Sequence, residues 1–189
     1  MAVDVAVSVD GKRVVELEAF AETDVDLARA AGAELLWVHA NDDLDVYGFR
    51  NRGAYVRMHA DAVPVRQRTP PLLEERDYAE VLARAYAGLW GHKFVSPLAE
   101  PPPGAVVVGV PVVGLCCVWP DDRLIDGPGV LPQSRSADAY ASLLLHACAL
   151  LGEGPADLDS WGDSDETLEA YEDLGFDVVE RVQGWELQL

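Results

Sequence analysis

The chain is poor in basic residues: 14 Lys and Arg stand against 33 Asp and Glu, a formal net charge of −19 at pH 7. A phosphate backbone is bound through Lys and Arg, so this balance argues against nucleic acid, and against an anionic membrane surface as well. It leaves room for a cationic ligand steered by the field, beside the plainer reading of solubility. Cysteine is also scarce, with only Cys116, Cys117 and Cys148. Two are adjacent and one lies in an apolar helical pattern, so neither disulfide nor metal spacing is present. They read as small buried apolar side chains in a reducing compartment. His39, His59, His92 and His146 are scattered without ligand spacing, and no metal is expected. No hydrophobic run reaches the ~20 residues of a membrane span. The opening MAVDVAVSVDGK has no basic n-region and no long apolar stretch, so no signal peptide is read there. The expectation is a cytoplasmic protein.

What is present is ample apolar material: 50% of 189 residues are hydrophobic, enough for one compact domain or a domain plus an appendage. Residues 3–20 alternate around Asp10-Gly11 and predict a hairpin. Thr23 is the expected cap of a short helix ended by Gly32. ELLWVHA (34–40) reads as a buried strand, and VYGFRNRGAYVRMHA as an extended pair. Pro70 and Pro71 mark a connector. Tyr78, Val81, Leu82, Ala85, Tyr86 and Leu89 fall on one helical face, with Asp77 and Glu80 as a capping-box start. After a Pro-rich loop, AVVVGV, VGLCCVW and RLIDGPGVL predict an antiparallel meander. A long helix over about 137–151 follows, with Gly152 beyond its end. ADLDSW reads as a strand, DSDETLEAYEDLGF as a short helix, and FDVVERV and GWELQL as two closing strands.

Residues 54–189 therefore read β, α, loop, β, β, β, α, β, α, β, β. In that order LIDGPGVLP, QSRSADAYASLLL and AYEDLGF resemble three segments of the GNAT superfamily of CoA-dependent N-acetyltransferases, in a variant of actinobacterial type. The first resembles the fourth strand with its V-x-P ending, Val130-Leu131-Pro132. The second stands in place of the pyrophosphate loop and third helix, and the third matches a Y-x-x-x-G-F element. The resemblance implies an α/β (α+β) three-layer fold with a central mixed, mostly antiparallel sheet flanked by helices. It implies acetyl-CoA as co-substrate, and a pantetheine arm bound like an extra strand where one strand splays from its neighbour. Gly127, Pro128 and Gly129 suit the bulge that such a splay needs, and also suit a strand-ending turn.

By the same resemblance the cofactor-binding residues are Gly129, Val130, Leu131, Arg135, Ser136, Ala137, Asp138 and Ser164, the last where the family often has Asn. Tyr171 stands where the family's Tyr protonates the thiolate, though it also reads as a core tyrosine. A backbone N–H near Val130 would polarise the carbonyl. Asp126, one step before the bulge, is the candidate base, ahead of Asp159, Glu16 and Glu18. The loop departs from the family where small residues are expected, at Asp138 and Tyr140. A carboxylate beside a phosphate is unfavourable by ~1 kcal/mol or more at low screening. Ser136 or Asp138 would cap the helix, and a capping Asp138 would occupy the N–H groups a pyrophosphate uses. Three readings stay open: CoA held by Arg135 and backbone donors over 134–137, CoA held weakly or differently, or a site that has lost it.

Residues 1–53 lie outside the standard fold. LLWVHANDDLDVYGFRNRGAYVRM loosely echoes DLDSWGDSDETLEAYEDLGFDVVERVQGWEL, so this segment reads as a partial GNAT-like half or an oligomerisation extension serving a homodimer. The function expected is acetyl transfer to a primary amine of a small or cationic acceptor in a ternary complex. The alternative is a non-catalytic GNAT-like binding or scaffold protein.

Overall fold

The computed structural model describes residues 4–8, 11–64, 69–85, 100–161 and 163–189. Among the described residues nine strands form one sheet in the order β1-β2-β3-β9-β4-β8-β7-β6-β5. They are β1 (Ala6–Val7), β2 (Arg13–Leu17), β3 (Leu35–His39), β4 (Arg50–Ala60), β5 (Val106–Val110), β6 (Gly114–Trp119), β7 (Leu124–Val130), β8 (Ala156–Trp161) and β9 (Asp177–Gln188). The α-helices of the described residues flank it: α1 (Thr23–Ala30), α2 (Glu75–Ala85), α3 (Ala137–Leu151) and α4 (Asp165–Glu172). The mixed, mostly antiparallel sheet with helices on both sides is the fold class expected from the sequence.

The meander, α3 and the buried strand lie where the periodicity places them, whereas α2 begins at Glu75 and puts Asp77 inside its first turn rather than at the expected capping-box start. β5, β6 and β7 pair antiparallel, and β7 pairs parallel with β8 across α3. Adjacent residues of β6 go to opposite faces. Cys116 packs with Ile125, Leu158 and the α3 side chains Leu143 and Leu144. Cys117 packs with Tyr78, Val81 and Leu82 of α2. Period-two alternation thus buries both cysteines under different helices. The buried stripe of α2 is Tyr78, Val81, Leu82 and Ala85; the expected Tyr86 and Leu89, and Asp10 of the first hairpin, lie outside the described residues.

Three local expectations are corrected. FDVVERV and GWELQL are one strand of 12 residues, because Gly184 lies in the ladder opposite His39 and Gly53 rather than in a turn. The extended pair expected over 46–60 is a single helical turn, Asp45–Tyr47, and one 11-residue strand. Thr23 opens α1 without capping it; Asp24 instead accepts from the Ala21 N–H at 2.7 Å. The Pro70-Pro71 connector also contributes to the sheet, since Pro71 O accepts from Gly109 N and Leu73 N donates to Val107 O.

The pairing is palindromic about the centre. β3 and β8 each have a parallel neighbour outward, β2 and β7, and an antiparallel one inward, β9 and β4. The inward neighbours are exchanged: β4 follows β3 in the chain but pairs with β8, and β9 follows β8 but pairs with β3. Residues 53 and 54 lie within β4, in the middle of the sheet.

Candidate functional site

β7 and β8 pair over only three positions, Leu124 with Asp157, Ile125 with Leu158 and Asp126 with Asp159. β7 continues to Val130 and β8 to Trp161 without further pairing between them. At the point where they part, β7 is bulged against β6. Asp126 lies opposite Cys117 and Gly129 opposite Leu115, so Gly127 and Pro128 share the place of Cys116. Pro128 brings no ladder donor. Gly127 answers a close approach: a Cβ there would lie 2.7 Å from the carbonyl oxygen of Asp159. The residues that make the bulge also launch the next element. Gly129 and Val130 still pair with β6, Leu131 N donates to Val113 O, and a short turn over Pro132–Ser134 leads into α3.

Ser136 is the cap of α3, its Oγ accepting from Ala139 N at 3.2 Å. The first-turn N–H groups of Ala137 and Asp138 have no intrahelical acceptor, as in any helix. Asp138 is exposed and lies inside the first turn, where its charge suits the helix dipole without capping. Arg135 turns back from the helix: its Nε donates to Val130 O at 3.3 Å and an Nη to Ala85 O at 3.1 Å. It clamps the end of β7 to the end of α2.

The two residues expected to be catalytic lie on opposite faces of the sheet. Tyr171 of α4 is fully buried in the α3-side core. Its hydroxyl donates to Asp163 Oδ2 at 3.2 Å, and Ser160 Oγ donates to the same oxygen at 2.7 Å. Burial and the Asp163 charge hold the Tyr171 hydroxyl well above its usual range. Burial likewise raises Asp163 to about 6, against the lowering effect of Ser160, Tyr171 and Arg135. Tyr171 and Phe176, both buried, bracket the end of α4, where Phe176 N donates to Tyr171 O. Ser164 caps α4 by accepting from Thr167 N at 3.2 Å, so this helix starts at Asp165, two residues later than the expected Asp163.

Asp126 points to the α2 side, in register with Cys117 and Asp159. Burial first and the neighbouring Asp159 second raise its carboxyl to about 6, while a hydrogen bond from the Gly127 backbone opposes the shift. Asp159 is already committed: Arg57 grips it at 2.8 and 3.2 Å, and Tyr55 OH donates at 2.8 Å. Glu16 bonds His39 Nε2 at 2.6 Å, and Glu18 is exposed beyond β2.

Sequence spacing offered Asp163 only as a helix start and Asp159 only as a lesser candidate base, with no hint of the partners Ser160 and Tyr171 or Tyr55 and Arg57. Both clusters are assembled from separate elements, the second from facing positions on β4 and β8. The one available signal was alternation, which puts Tyr55 and Arg57 on one face of a strand. Histidines again find carboxylates across strands, His59 with Asp157 at 2.7 Å. Among the described residues no cluster of three or more His, Cys, Asp or Glu is placed to hold a metal, and no helix is long and apolar enough to cross a membrane.

No family profile matches the chain, and no curated protein does. Solved structures do. A putative acetyltransferase from Pyrococcus horikoshii superposes with a TM-score of 0.58 at 13% identity over 89% of this chain, which spans 59% of that protein's length. A functionally unknown conserved protein from Staphylococcus epidermidis gives 0.55 at 16% identity, covering 94% of this chain and 84% of that one. A GCN5-related N-acetyltransferase from Kribbella flavida gives 0.52 at 16% identity, covering 98% and 89%. At such identities the likeness speaks for architecture, and in architecture this chain has the fold of the GCN5-related N-acetyltransferases.

Proposed function

We propose that the chain is an acetyl-CoA-dependent N-acetyltransferase acting on a primary amine by direct transfer in a ternary complex. The observation that carries the reading is the bulged parting of β7 and β8 at Asp126/Asp159, followed at once by the N-terminus of α3. Unpaired strand edges of this kind accept an amide-bearing arm as a further strand, and a helix N-terminus accepts phosphates. The residues present fit the co-substrate. The inner edge of β7 over Gly129, Val130 and Leu131 would hold the pantetheine arm. The N–H groups of Ser136, Ala137 and Asp138 would hold the pyrophosphate, and Ser164 would stand near the arm at the start of α4. Ser136 rather than Asp138 is the cap, which leaves the first-turn donors to the ligand. Arg135 contributes its charge from its clamp beside Val130.

When bound, acetyl-CoA supplies an activated acyl group. The chain's own residues handle protons. Asp126 takes the proton that an ammonium must lose before its nitrogen can attack; a carboxyl near 6 is ionised at neutral pH and a better base than an ordinary one. Tyr171, on the other face of the sheet, would give its hydroxyl proton to the thiolate that leaves as the amine attacks. Asp163 fixes that hydroxyl's direction.

Residues 1–53 are read as a partial GNAT-like half, supported by the palindromic pairing and the exchanged β4 and β9. A second reading, a non-catalytic binding protein of the same fold, is favoured by the complete burial of Tyr171 and by the Asp138 carboxylate at the anion site. Thiol release from acetyl-CoA in the presence of primary amines separates the two: transfer predicts amine-dependent release, and the binding-protein reading predicts none.

A further inference from the structure

On the sheet face that carries Asp126, three rings from three strands stand in line. Tyr55 of β4 and Trp161 of β8 pack with centroids 4.5 Å apart and planes at 44°. The other end of Trp161 meets His39 of β3 at 5.6 Å, edge to face at 79°. β9 and β4 both lie between β3 and β8, yet the His39 and Trp161 rings meet, because the residues in line with His39 on those strands are Gly184 and Gly53, which put no side chain in the way. His39 is only 6% exposed and is fixed by Glu16 at 2.6 Å. Tyr55 is fixed by Asp159, which Arg57 neutralises. Tyr55 and Trp161 remain partly exposed. The result is a rigid aromatic wall with a carboxylate at each end, Glu16 beyond His39 and Asp126 one strand beyond Asp159.

Such a wall has a definite ligand chemistry. Aromatic faces attract flat apolar groups and cations, and rings locked by second partners lose little entropy on binding. The Asp126 end receives an ammonium group. We infer that the acceptor site is composite, with His39 and Glu16 of the N-terminal segment completing it, and that it takes a ring-bearing primary amine, the ring on Trp161 and the nitrogen toward Asp126. The inference rests on the acetyl-transfer reading for the fate of the amine, but not for its binding. Residues 1–53 thereby gain a role in specificity: removing the His39 edge contact frees Trp161 to turn away.

The test is calorimetric titration of the full chain with 2-phenylethylamine and with n-butylamine, each with and without desulfo-CoA. The site predicts saturable binding of 2-phenylethylamine at least tenfold tighter than n-butylamine. Trp161→Leu should abolish that preference. His39→Gln, which keeps a neutral hydrogen bond to Glu16, should reduce it severalfold while leaving affinity for desulfo-CoA unchanged. Equal affinities for the two amines, or a preference that survives both substitutions in folded protein, overturns the inference and leaves the transfer reading standing. Ring-amine preference in a protein that binds no acetyl-CoA supports the site and overturns the transfer reading instead.

Discussion

Asp126 carries two consequences that point in opposite directions. Its carboxyl stands near 6 when folded and near the ordinary carboxylate value when unfolded. The folded chain therefore binds this proton more tightly, and the stability this confers is full below about pH 4 and lost as pH rises through about 6. Asp126→Asn should raise stability at pH 8 by about 1–2 kcal/mol, discounted for partial exposure, and by much less at pH 4. Urea titrations at the two pH values check this; an equal effect at both would mean that Asp126 is not strained by its charge. The same substitution should remove the acid limb near pH 6 from kcat/KM and lower the rate by about 10²-fold or more. Tyr171→Phe deletes one hydrogen bond to a half-buried carboxylate and should cost about 1–3 kcal/mol. If Tyr171 also gives a proton, kcat falls without a matching rise in KM; an unchanged kcat assigns it to structure alone. The bulge after Asp126 was legible in the sequence, because Gly127-Pro128-Gly129 suits one. Asp163 was not, because its meaning comes from Ser160 and Tyr171, which only the folded chain brings to it.

At the scale of elements, the helices were the legible part. α3 runs from Ala137 to Leu151 as its apolar stripe and terminal Gly152 require, and its cap is Ser136, one of the two the sequence left open with Asp138. The strands misled where glycine looked like punctuation. The segments holding Gly53 and Gly184 each read as two strands, yet these glycines lie opposite each other in a ladder that runs on through both. In a two-sided sheet a glycine can mark a place where a neighbouring ring crosses, and sequence alone does not distinguish the cases. The start of α3 supports a further prediction. Asp138 adds a negative charge at the proposed pyrophosphate donors without capping them, so Asp138→Gly should tighten CoA binding by roughly fivefold, the equivalent of about 1 kcal/mol. Direct titration of the variant checks it. Unchanged affinity would mean that the phosphates lie elsewhere.

The molecule as a whole is one sheet whose central strands are exchanged between its ends. β4 and β9 pair along almost their full lengths, and each also closes the ladder of the opposite end. Neither end can lose its strand without opening an edge in the other. Thermal unfolding should accordingly be a single calorimetric transition; two resolved transitions would show that the ends fold separately. The loose sequence echo between the ends does not reveal this exchange of strands, which is a matter of long-range pairing and leaves no local signature.

The central claim is that the parted strands and the α3 N-terminus form an acetyl-CoA site despite a loop with little glycine. Calorimetric titration of the purified chain with acetyl-CoA, and with CoA beside it, tests that claim most directly. The account predicts saturable one-to-one binding in the micromolar range, weakened at least tenfold by Gly127→Val, whose side chain would press on the Asp159 carbonyl. No heat at millimolar acetyl-CoA, with no competition by CoA, would contradict it.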